Sequence, residues 1–486
     1  QKEFDMSDID VLQQQRYAKL EKLREMGVDP YGCRVDGIEQ TASIRGRFIE
    51  EQEGQSAKAA GRIVLLRDIG KLIFITLRDS SGTIQIGLNK KRVVEEKWPL
   101  CKTLDLGDII CAEGELGLTK TGELTIWASY VTFLSKALNQ PPEKFHGLQD
   151  TDMRYRQRYV DLWANPEVME RFRKRSDMIA SIRNLLTGKG FYEVETPMMQ
   201  SIAGGAAAKP FVTHHNALDI DLYMRIAPEL YLKRLLVGGF EKVFEINRSY
   251  RNEGLSPRHN PEFTMMELYQ AYSDYNGMMD ITEEIVSTLI EKHCEGTSLA
   301  FGEMEIDYST PWRRAKYADL LKEHSGCDIS DIAAVRAKAR ELKINEAAMD
   351  DYVVINEVFE ETVEEHLVNP TFVIDYPAAI CPLTRRKTDH PEIAERFELF
   401  VARMEVANAY TELNDPKVQD ENFRNQLKGE EDTMAKMDED FITALRYGMP
   451  PAGGLGIGID RLVMLLTGAT TIRDVILFPT LKPQAK

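Results

Sequence analysis

Apolar residues recur along the chain with two different periods, and the change between them divides the sequence into regions. Near the N-terminus they recur every three or four positions, as in an amphipathic helix, at Tyr17, Leu20, Leu23 and Met26. A capping box at residues 7–10 would begin this helix, and Gly27 would end it. The pattern predicts an N-terminal helical segment over residues 1–45.

A second region, residues 46–137, consists of short apolar or alternating runs separated by Gly, Asp and Ser. The runs with the length and composition of β-strands are residues 61–66, 72–77, 83–86, 108–111 and 124–127. About five short strands in so small a region predict a β-barrel of the OB type, a fold that often binds single-stranded nucleic acid on its exposed strands. A small barrel that serves only for packing is the alternative.

Residues 138–160 are predicted to be a linker, because they contain the run Asn-Gln-Pro-Pro. In the remaining region, 161–486, long helical patterns mix with strand-like runs at residues 242–250, 263–272, 371–376, 397–401 and 406–413. Their order lacks the regular β-α-β alternation of a parallel sheet. The fold class is therefore expected to be α+β, with the barrel followed by a domain whose mostly antiparallel sheet is flanked by helices. Within that domain, residues 280–367 are expected to form a charged helical insertion.

Composition limits the class of protein. The formal net charge of −17 argues against a uniformly basic surface, so any contact with nucleic acid must be local. The apolar stretches are too short to span a membrane, and no signal or transit peptide is visible at the N-terminus. The six cysteines are scattered without a metal-binding spacing, as expected for reduced thiols. These features predict a cytoplasmic protein that does not interact with membranes.

Candidate chemistry is densest in residues 244–269, which have the pattern of a strand, a polar loop and a second strand. The period of two places four side chains of the second strand on one face, which would suit a cation: Phe263, Met265, Glu267 and Tyr269. The loop carries two arginines, Arg251 and Arg258, that can hold a polyphosphate, and Glu253, which can accept from an amino group. The alternative is a charged edge strand with Glu267 in water.

This stretch resembles motif 2 of the class II aminoacyl-tRNA synthetases, and in detail that of the lysyl-tRNA synthetase family. Residues 190–197 resemble motif 1, and residues 454–461, a glycine-rich strand leading into a helix, resemble motif 3. The resemblance covers nearly the whole chain. It implies an ATP-dependent ligase that converts L-lysine to lysyl-adenylate with release of pyrophosphate and then transfers lysine to the 3′-terminal adenosine of tRNA(Lys). It also implies a homodimer, formed through motif 1.

The resemblance further implies roles for individual residues. Arg251 would bridge the lysine carboxylate and the α-phosphate as a catalytic residue, and Arg461, also catalytic, would hold the outer phosphates of ATP together with Arg258. The rest of the ATP site would be Glu253, His259, Asn260 and Phe263. The lysine site would be Gly205, Glu229, Glu267, Tyr269, Asn408, Tyr410 and Glu412. Glu398 and Glu405 would bind Mg²⁺ beside ATP, and the anticodon would be recognised in the barrel by Phe74, Gln85 and Glu123.

Spacing adds two conditions to these roles. Asn408, Tyr410 and Glu412 share a strand face, but simple alternation puts Glu405 on the opposite face, so its metal role requires a β-bulge or a turn. Glu267 and Glu412 would surround the lysine ε-ammonium, because buried like charges are costly until a cation lies between them. The alternative is that Glu412, like Glu229, is a structural carboxylate.

One segment departs from the family pattern. Many members have Ser-Pro-Leu-Ala-Lys where this chain has residues 381–387, Cys-Pro-Leu-Thr-Arg-Arg-Lys, so the contacts near that loop are left open. Two other functions are also possible. A modifier that attaches lysine-like groups to a translation factor would lack the barrel, and a regulatory protein without catalysis would have lost at least one of Arg251, Arg461, Glu398 and Glu405, which are all present.

Overall fold

The computed structural model describes residues 11–50, 54–139, 148–202, 204–205, 208–427 and 437–484. The chain divides into two compact units, Gln1–Gln149 and Asp150–Lys486. The capping box predicted at residues 7–10 lies outside the described residues, as does most of the Pro-containing run of the predicted linker. No helix in the described ranges is long and apolar enough to cross a membrane.

The first unit is a closed five-stranded barrel with the strand order β1-β2-β3-β5-β4, which confirms the predicted OB-type fold. Its strands are β1 (Ser56–Asp68), β2 (Leu72–Arg78), β3 (Thr83–Asn89), β4 (Ile109–Leu118) and β5 (Leu124–Ser135). Its helices are α1 (Val11–Glu25), α2 (Thr41–Arg47) and α3 (Trp98–Cys101). Alternate side chains fill the barrel, as Ile73, Ile75 and Leu77 of β2 show with exposed fractions of 1% or less.

The second unit combines a large sheet with helices on its surface, as predicted. The strands are β6 (Tyr192–Glu193), β7 (Met199–Gln200), β8 (Val212–His215), β9 (Ile220–Met224), β10 (Lys242–Tyr250), β11 (Glu262–Ala271), β12 (Ser298–Phe301), β13 (Met304–Asp307), β14 (Arg313–Lys316), β15 (Thr371–Pro377), β16 (Ile393–Val401), β17 (Met404–Thr411) and β18 (Ala452–Gly458). The helices are α4 (Thr151–Arg156), α5 (Arg158–Ala164), α6 (Pro166–Gly188), α7 (Glu229–Val237), α8 (Tyr275–His293), α9 (Tyr317–Ser325), α10 (Ile332–Glu341), α11 (Asp351–Val363), α12 (Pro416–Leu427), α13 (Glu439–Arg446) and α14 (Ile459–Thr467).

Eight of the described strands form one sheet in the order β14-β15-β16-β17-β18-β11-β10-β6. Neighbouring strands are antiparallel except β14 with β15 and β10 with β6, at the two ends of the sheet. The main core of the unit lies on one face, where Met266 and Leu268 of β11 pack with side chains of α8 and α14. The opposite face of the central strands is therefore free to carry polar side chains.

Two predicted segments differ from the structure. Residues 280–367 contain the hairpin of β12 and β13 and the edge strand β14, and only α9 to α11 form a helical layer with a core of its own. The sequence of β14, Arg-Arg-Ala-Lys, has a single apolar residue, so its hydrophobic pattern could not indicate a strand. The predicted linker, 138–160, includes the helix α4, whose N-cap Asp150 accepts a hydrogen bond from Met153 N.

Candidate active site

The floor of the candidate site is the face of β11 that points away from the core. Because side chains alternate along a strand, this face carries the odd-numbered residues. They line a cleft of about 1210 Å³, as their spacing predicted: Phe263, Met265, Glu267 and Tyr269. Glu267 is only 5% exposed, and β11 lies between β10 and β18. The alternative of a charged edge strand with Glu267 in water is therefore wrong.

One end of the cleft is acidic. Glu229 is the first residue of α7, Glu267 lies in the middle of β11, and Glu412 immediately follows β17, and their exposed fractions are 5%, 5% and 1%. Gly205 lies beside Glu229 with φ of +87°, and a Cβ at this position would lie 3.1 Å from the Glu229 Cβ. Only glycine fits this position without strain.

The buried position of Glu267 changes its acidity. The Tyr269 hydroxyl donates to Glu267 Oε2 at 3.0 Å. Burial, together with the nearby charge of Glu229, raises the pKa of the Glu267 carboxyl to about 8. A cation bound beside Glu267 would favour its ionised form, so this end of the cleft suits an ammonium group.

Glu412 already has a cation supplied by the chain. Lys233 of α7 is fully buried, its Nζ lies 2.6 Å from Glu229 Oε1, and it also forms an ion pair with Glu412. The sequence did not indicate this internal cation, which α7 places one turn after Glu229. Burial, only partly offset by Lys233, raises the pKa of Glu412 to about 8.

The β17 wall contains two of the predicted lysine-site residues. Asn408 and Tyr410 line the cleft, and Asn408 Nδ2 donates to Tyr410 Oη at 2.9 Å. Arg396 Nε donates to Asn408 Oδ1 at 3.3 Å. Glu412 follows on the same strand face. It is not part of the lining, but its Oε1 lies beside Gly454 and Tyr269, which are, while its Oε2 meets Lys233.

The bulge that Glu405 requires is present. In the pairing of β16 with β17, Leu399 is opposite Ala407 whereas Phe400 is opposite Glu405, so Val406 is the extra residue. The bulge reverses the alternation, and Glu405 lines the same cleft as Asn408. Its carboxylate is half-exposed, and it lies 3.5 Å from Arg461.

Glu398, the other predicted Mg²⁺ ligand, lies next to the cleft rather than in its lining. Its carboxylate accepts from the Tyr376 hydroxyl at 2.8 Å and forms an ion pair with Arg396. Burial raises the pKa of the Glu398 carboxyl in spite of this arginine. Glu364 is also near, and burial and the charges of Glu360, Glu398 and Glu405 raise its pKa to about 7. This carboxylate cluster would be stabilised by a cation, and hard carboxylate oxygens are ligands that Mg²⁺ prefers.

The other end of the cleft is basic. The Arg251 guanidinium lies over the Phe263 ring, 5.2 Å from its centroid, and its buried Nε has no acceptor among the residues that the structure describes. Arg461 Nη1 donates to Glu405 O at 2.7 Å, and Arg258 Nη1 donates to Arg403 O at 3.0 Å. Backbone oxygens thus orient two of the arginines, and these hydrogen bonds do not neutralise the guanidinium charges.

The remaining predicted ATP-site residues surround these arginines. Burial and the charge of Arg461 lower the pKa of His259, whose Nε2 lies 2.9 Å from Arg461 Nη2 and accepts from it. Asn260 is committed to the loop itself, since it donates to Glu262 O at 2.6 Å and accepts from Thr480 N at 3.1 Å. Its amide therefore helps to hold the loop in place. Glu253 is exposed at the edge of the cleft.

Sequence reasoning missed Lys233 and Arg396, both of which hold predicted site residues. Arg396 is two residues before Glu398 on the same strand face, a spacing that could have indicated the pair. Arg396 Nη1 also lies 3.3 Å from Cys381 Sγ, in the segment that departs from the family pattern. That segment contributes Cys381 and Thr384 to the cleft lining, and Lys387 forms an ion pair with Asp375 at 2.6 Å.

In the barrel, the predicted anticodon residues lie on or next to the outer face. Phe74 is opposite Gly87 on β3, which is opposite Trp127 on β5, and the two aromatic rings meet edge to face with centroids 6.0 Å apart. Gln85 donates to Thr125 Oγ1 at 2.8 Å, and Glu123 forms an ion pair with Arg45 at 2.9 Å. Aromatic rings beside hydrogen-bonding side chains are the elements used to bind single-stranded bases.

Comparison with known proteins agrees with this arrangement. Residues 150–482 match the tRNA synthetases class II (D, K and N), and residues 57–134 match an OB-fold nucleic acid binding domain of the tRNA anticodon type. The chain belongs to the class II tRNA synthetases.

Similar proteins identify the family within this class. The lysine–tRNA ligase of Pelotomaculum thermopropionicum is 51% identical, covering 98% of this chain and 96% of its own length. That of Carboxydothermus hydrogenoformans is 52% identical over 96% of this chain and 97% of its own length, and that of Magnetococcus marinus is 52% identical over 96% of each. Within its class, the chain is a member of the lysine–tRNA ligase family.

Proposed function

We propose that this chain activates L-lysine with ATP and transfers the lysyl group to the 3′-terminal adenosine of tRNA(Lys). The observation that carries the proposal is a single cleft with buried carboxylates at one end and arginines at the other. The acidic end suits the ammonium groups of lysine, and the basic end suits a polyphosphate. An aspartate or asparagine substrate would instead require a cationic or amide group where this cleft has Glu267.

Activation joins the lysine carboxylate to the α-phosphorus of ATP and breaks the bond to the pyrophosphate leaving group. The proposed roles are electrostatic, and no side chain forms a covalent intermediate. Arg251 neutralises charge on the lysine carboxylate and the α-phosphate, while Arg258 and Arg461 neutralise the outer phosphates. The Phe263 ring packs against the Arg251 guanidinium and holds it in place. Glu253, His259 and Asn260 would surround the adenine. Holding the reactants in line contributes the remaining acceleration.

The lysine contacts are proposed from the family resemblance, and the buried carboxylates of the acidic end support them. Glu229 and the backbone at Gly205 would bind the α-amino group. Glu267 and Tyr269, with Glu412, would bind the ε-ammonium group. Asn408 and Tyr410 form the wall between the two ends and orient the substrate carboxylate.

Mg²⁺ is proposed as the metal that accompanies ATP. Glu405 faces the cleft, and Glu398 would join it by sharing its carboxylate between the ion and Arg396. The described residues contain no group of three or more His, Cys, Asp or Glu side chains that could hold a metal by themselves. This fits an ion held by one or two carboxylates together with the phosphates of the nucleotide. The ion would neutralise phosphate charge.

Two proposals concern partners and location. Phe74, Gln85 and Glu123 would recognise the anticodon of tRNA(Lys) on the barrel surface. The proposed location is the cytoplasm. A homodimer would form through the region of residues 190–197, where Tyr192 of the terminal strand β6 is 65% exposed and packs edge to face on Phe240. Light scattering of the purified protein tests the dimer.

The decisive experiment is ATP–pyrophosphate exchange without tRNA, measured with lysine, arginine, ornithine, aspartate and asparagine. Exchange that depends on lysine alone is the expected result. Exchange driven by another amino acid would contradict the assignment of the acidic end, and no exchange with any of them would favour a regulatory protein. Aminoacylation of tRNA(Lys) transcripts, with Phe74→Ala as the barrel variant, then tests the acceptor.

A further inference from the structure

The buried lysine of α7 pairs with two of the predicted lysine-site residues. Lys233 is 0% exposed and lies between two glutamates that come from α7 and from the end of β17. A buried ammonium is costly unless it is paired. Burial alone would lower the pKa of Lys233, but Glu229 and Glu412 raise it above its usual value, so the side chain carries a full positive charge.

The two glutamates each bind Lys233 through one oxygen. Glu229 uses Oε1, and its Oε2 is the atom on the side of Gly205. Glu412 uses Oε2, and its Oε1 lies against the Tyr269 ring at a position that a Cβ on Gly454 would overlap. Glu412 Oε1 is buried and receives no hydrogen bond from any residue in the described part of the chain. Lys233 therefore leaves one oxygen of each glutamate directed elsewhere.

The arrangement can be explained by the balance of charge between the acidic end and its substrate. The acidic end holds three carboxylates, Glu229, Glu267 and Glu412, and one ammonium, so its net charge is −2 when all four groups are ionised. L-Lysine brings two ammonium groups, and its carboxylate is balanced by Arg251. The complex is then neutral, as a buried charged site requires.

We infer that Lys233 is a specificity-determining positioning residue, which neutralises one of three buried carboxylates so that the site matches a substrate with two ammonium groups. The inference rests on the proposed function. Lys233 does not contact the reacting atoms, and it acts by orienting Glu229 and Glu412 and by setting the net charge of the acidic end.

The test compares Lys233→Met with Lys136→Met, a matched control in the barrel. Lys136 is equally buried and pairs with Asp105 at 2.7 Å and Asp108 at 2.9 Å. Both variants lose a buried ion pair, and both should unfold at lower temperature. Only Lys233→Met should raise the KM for lysine, by about 100-fold with the KM for ATP unchanged, because its complex with lysine keeps one uncompensated buried negative charge, which costs roughly that factor or more. An unchanged KM for lysine would leave Lys233 with a structural role alone and overturn the inference.

A double variant tests the charge count. Glu412→Gln alone changes the net charge of the site from −2 to −1 and should raise the KM for lysine. Adding Lys233→Met restores −2, so the double variant should bind lysine more tightly than Glu412→Gln does. A double variant that is weaker than Glu412→Gln contradicts the inference, and this comparison holds even where Lys233→Met alone does not fold. Wild-type protein without lysine-dependent exchange would instead overturn the proposed function, and with it this inference.

Discussion

The two ends of the cleft hold their charges in different ways. At the acidic end, Glu229, Glu267 and Glu412 are at most 5% exposed, and each is bonded to another side chain of the protein. At the basic end, the arginine side chains are at least partly exposed, and Arg258 and Arg461 are held chiefly by backbone oxygens. The charges of the acidic end are thus buried and held in place before substrate binds, whereas those of the basic end remain open to solvent.

This difference suggests that the acidic end selects the amino acid and that the basic end accelerates the reaction. Charges buried in a low-dielectric environment interact strongly and cannot be screened, so a substrate of the wrong charge is rejected at the acidic end. The attraction of the partly exposed arginines for phosphate is weakened by water, and it becomes stronger where the bound nucleotide excludes water. Each end should therefore respond differently to substitution, to pH and to salt.

Arg251→Ala is expected to have the largest effect, because Arg251 is the residue proposed to contact both substrates. Loss of its charge stabilisation should lower the rate of ATP–pyrophosphate exchange by about 10²- to 10³-fold. Arg248→Ala is the control, since Arg248 is three positions earlier and pairs with Glu262 at 3.6 Å outside the cleft. An exchange rate equal to that of the control variant would remove Arg251 from the proposed chemistry.

Glu267→Gln should weaken the binding of lysine without weakening that of ATP. The amide keeps the shape of the side chain but loses the charge, so the KM for lysine should rise by about 100-fold, the usual effect of losing a buried hydrogen bond to a charged group. The KM for ATP should change by less than about twofold. Glu262→Gln, an exposed carboxylate on the same strand, should leave both constants unaltered. Equal weakening of lysine and ATP would show that the two ends are not independent.

The features of this site that could be predicted from sequence are local ones. The period of two placed the odd-numbered residues from Phe263 to Tyr269 on one face. The conflict between Glu405 and Asn408 indicated a bulge or a turn, and the structure has a bulge at Val406. Lys233 and Arg396 were missed because their partners are set by packing. Lys233 meets Glu412 across 179 residues of sequence, and no spacing rule connects them.

In the fold, too, local features could be predicted from sequence, whereas those set by packing could not. Strands with several apolar residues, such as β10 and β11, were predicted to within one residue, because their hydrophobic pattern reflects burial. The edge strand β14 was missed because its neighbours in the sheet, not its own composition, determine its conformation.

The two ends should also differ in pH dependence, with an effect on kcat/KM for lysine that is smaller than that of Glu267→Gln on the KM for lysine. The pKa of Glu267 is about 8, raised by burial, and lysine binds the ionised carboxylate. The kcat/KM for lysine should therefore increase by up to about tenfold per pH unit below pH about 8 and then level off. The same raised pKa means that the folded protein binds more protons than the unfolded chain, so without lysine the free energy of unfolding should fall as pH rises from about 4.5 to about 8.

Titration of exchange activity against lysine and against ATP from pH 6 to 9 measures this effect. The KM for ATP should show no comparable slope, and Glu267→Gln should flatten the profile for lysine. A slope that persists in Glu267→Gln would assign the titration to another group, and Glu412, whose pKa is also about 8, would be the next to substitute.

Arg258→Ala should have the smallest effect and should depend on salt. Arg258 is exposed, so its attraction to phosphate is screened by solvent, and its loss should raise the KM for ATP by only about fivefold at low ionic strength. The difference from wild type should shrink as NaCl is raised from about 0.05 to about 0.5 M, while the KM for lysine stays constant. Arg313→Ala, an exposed arginine paired with Glu323 at 3.4 Å, is the control. Salt that weakens lysine as strongly as ATP would mean that water reaches the acidic end, and that the two ends do not differ in the way their burial indicates.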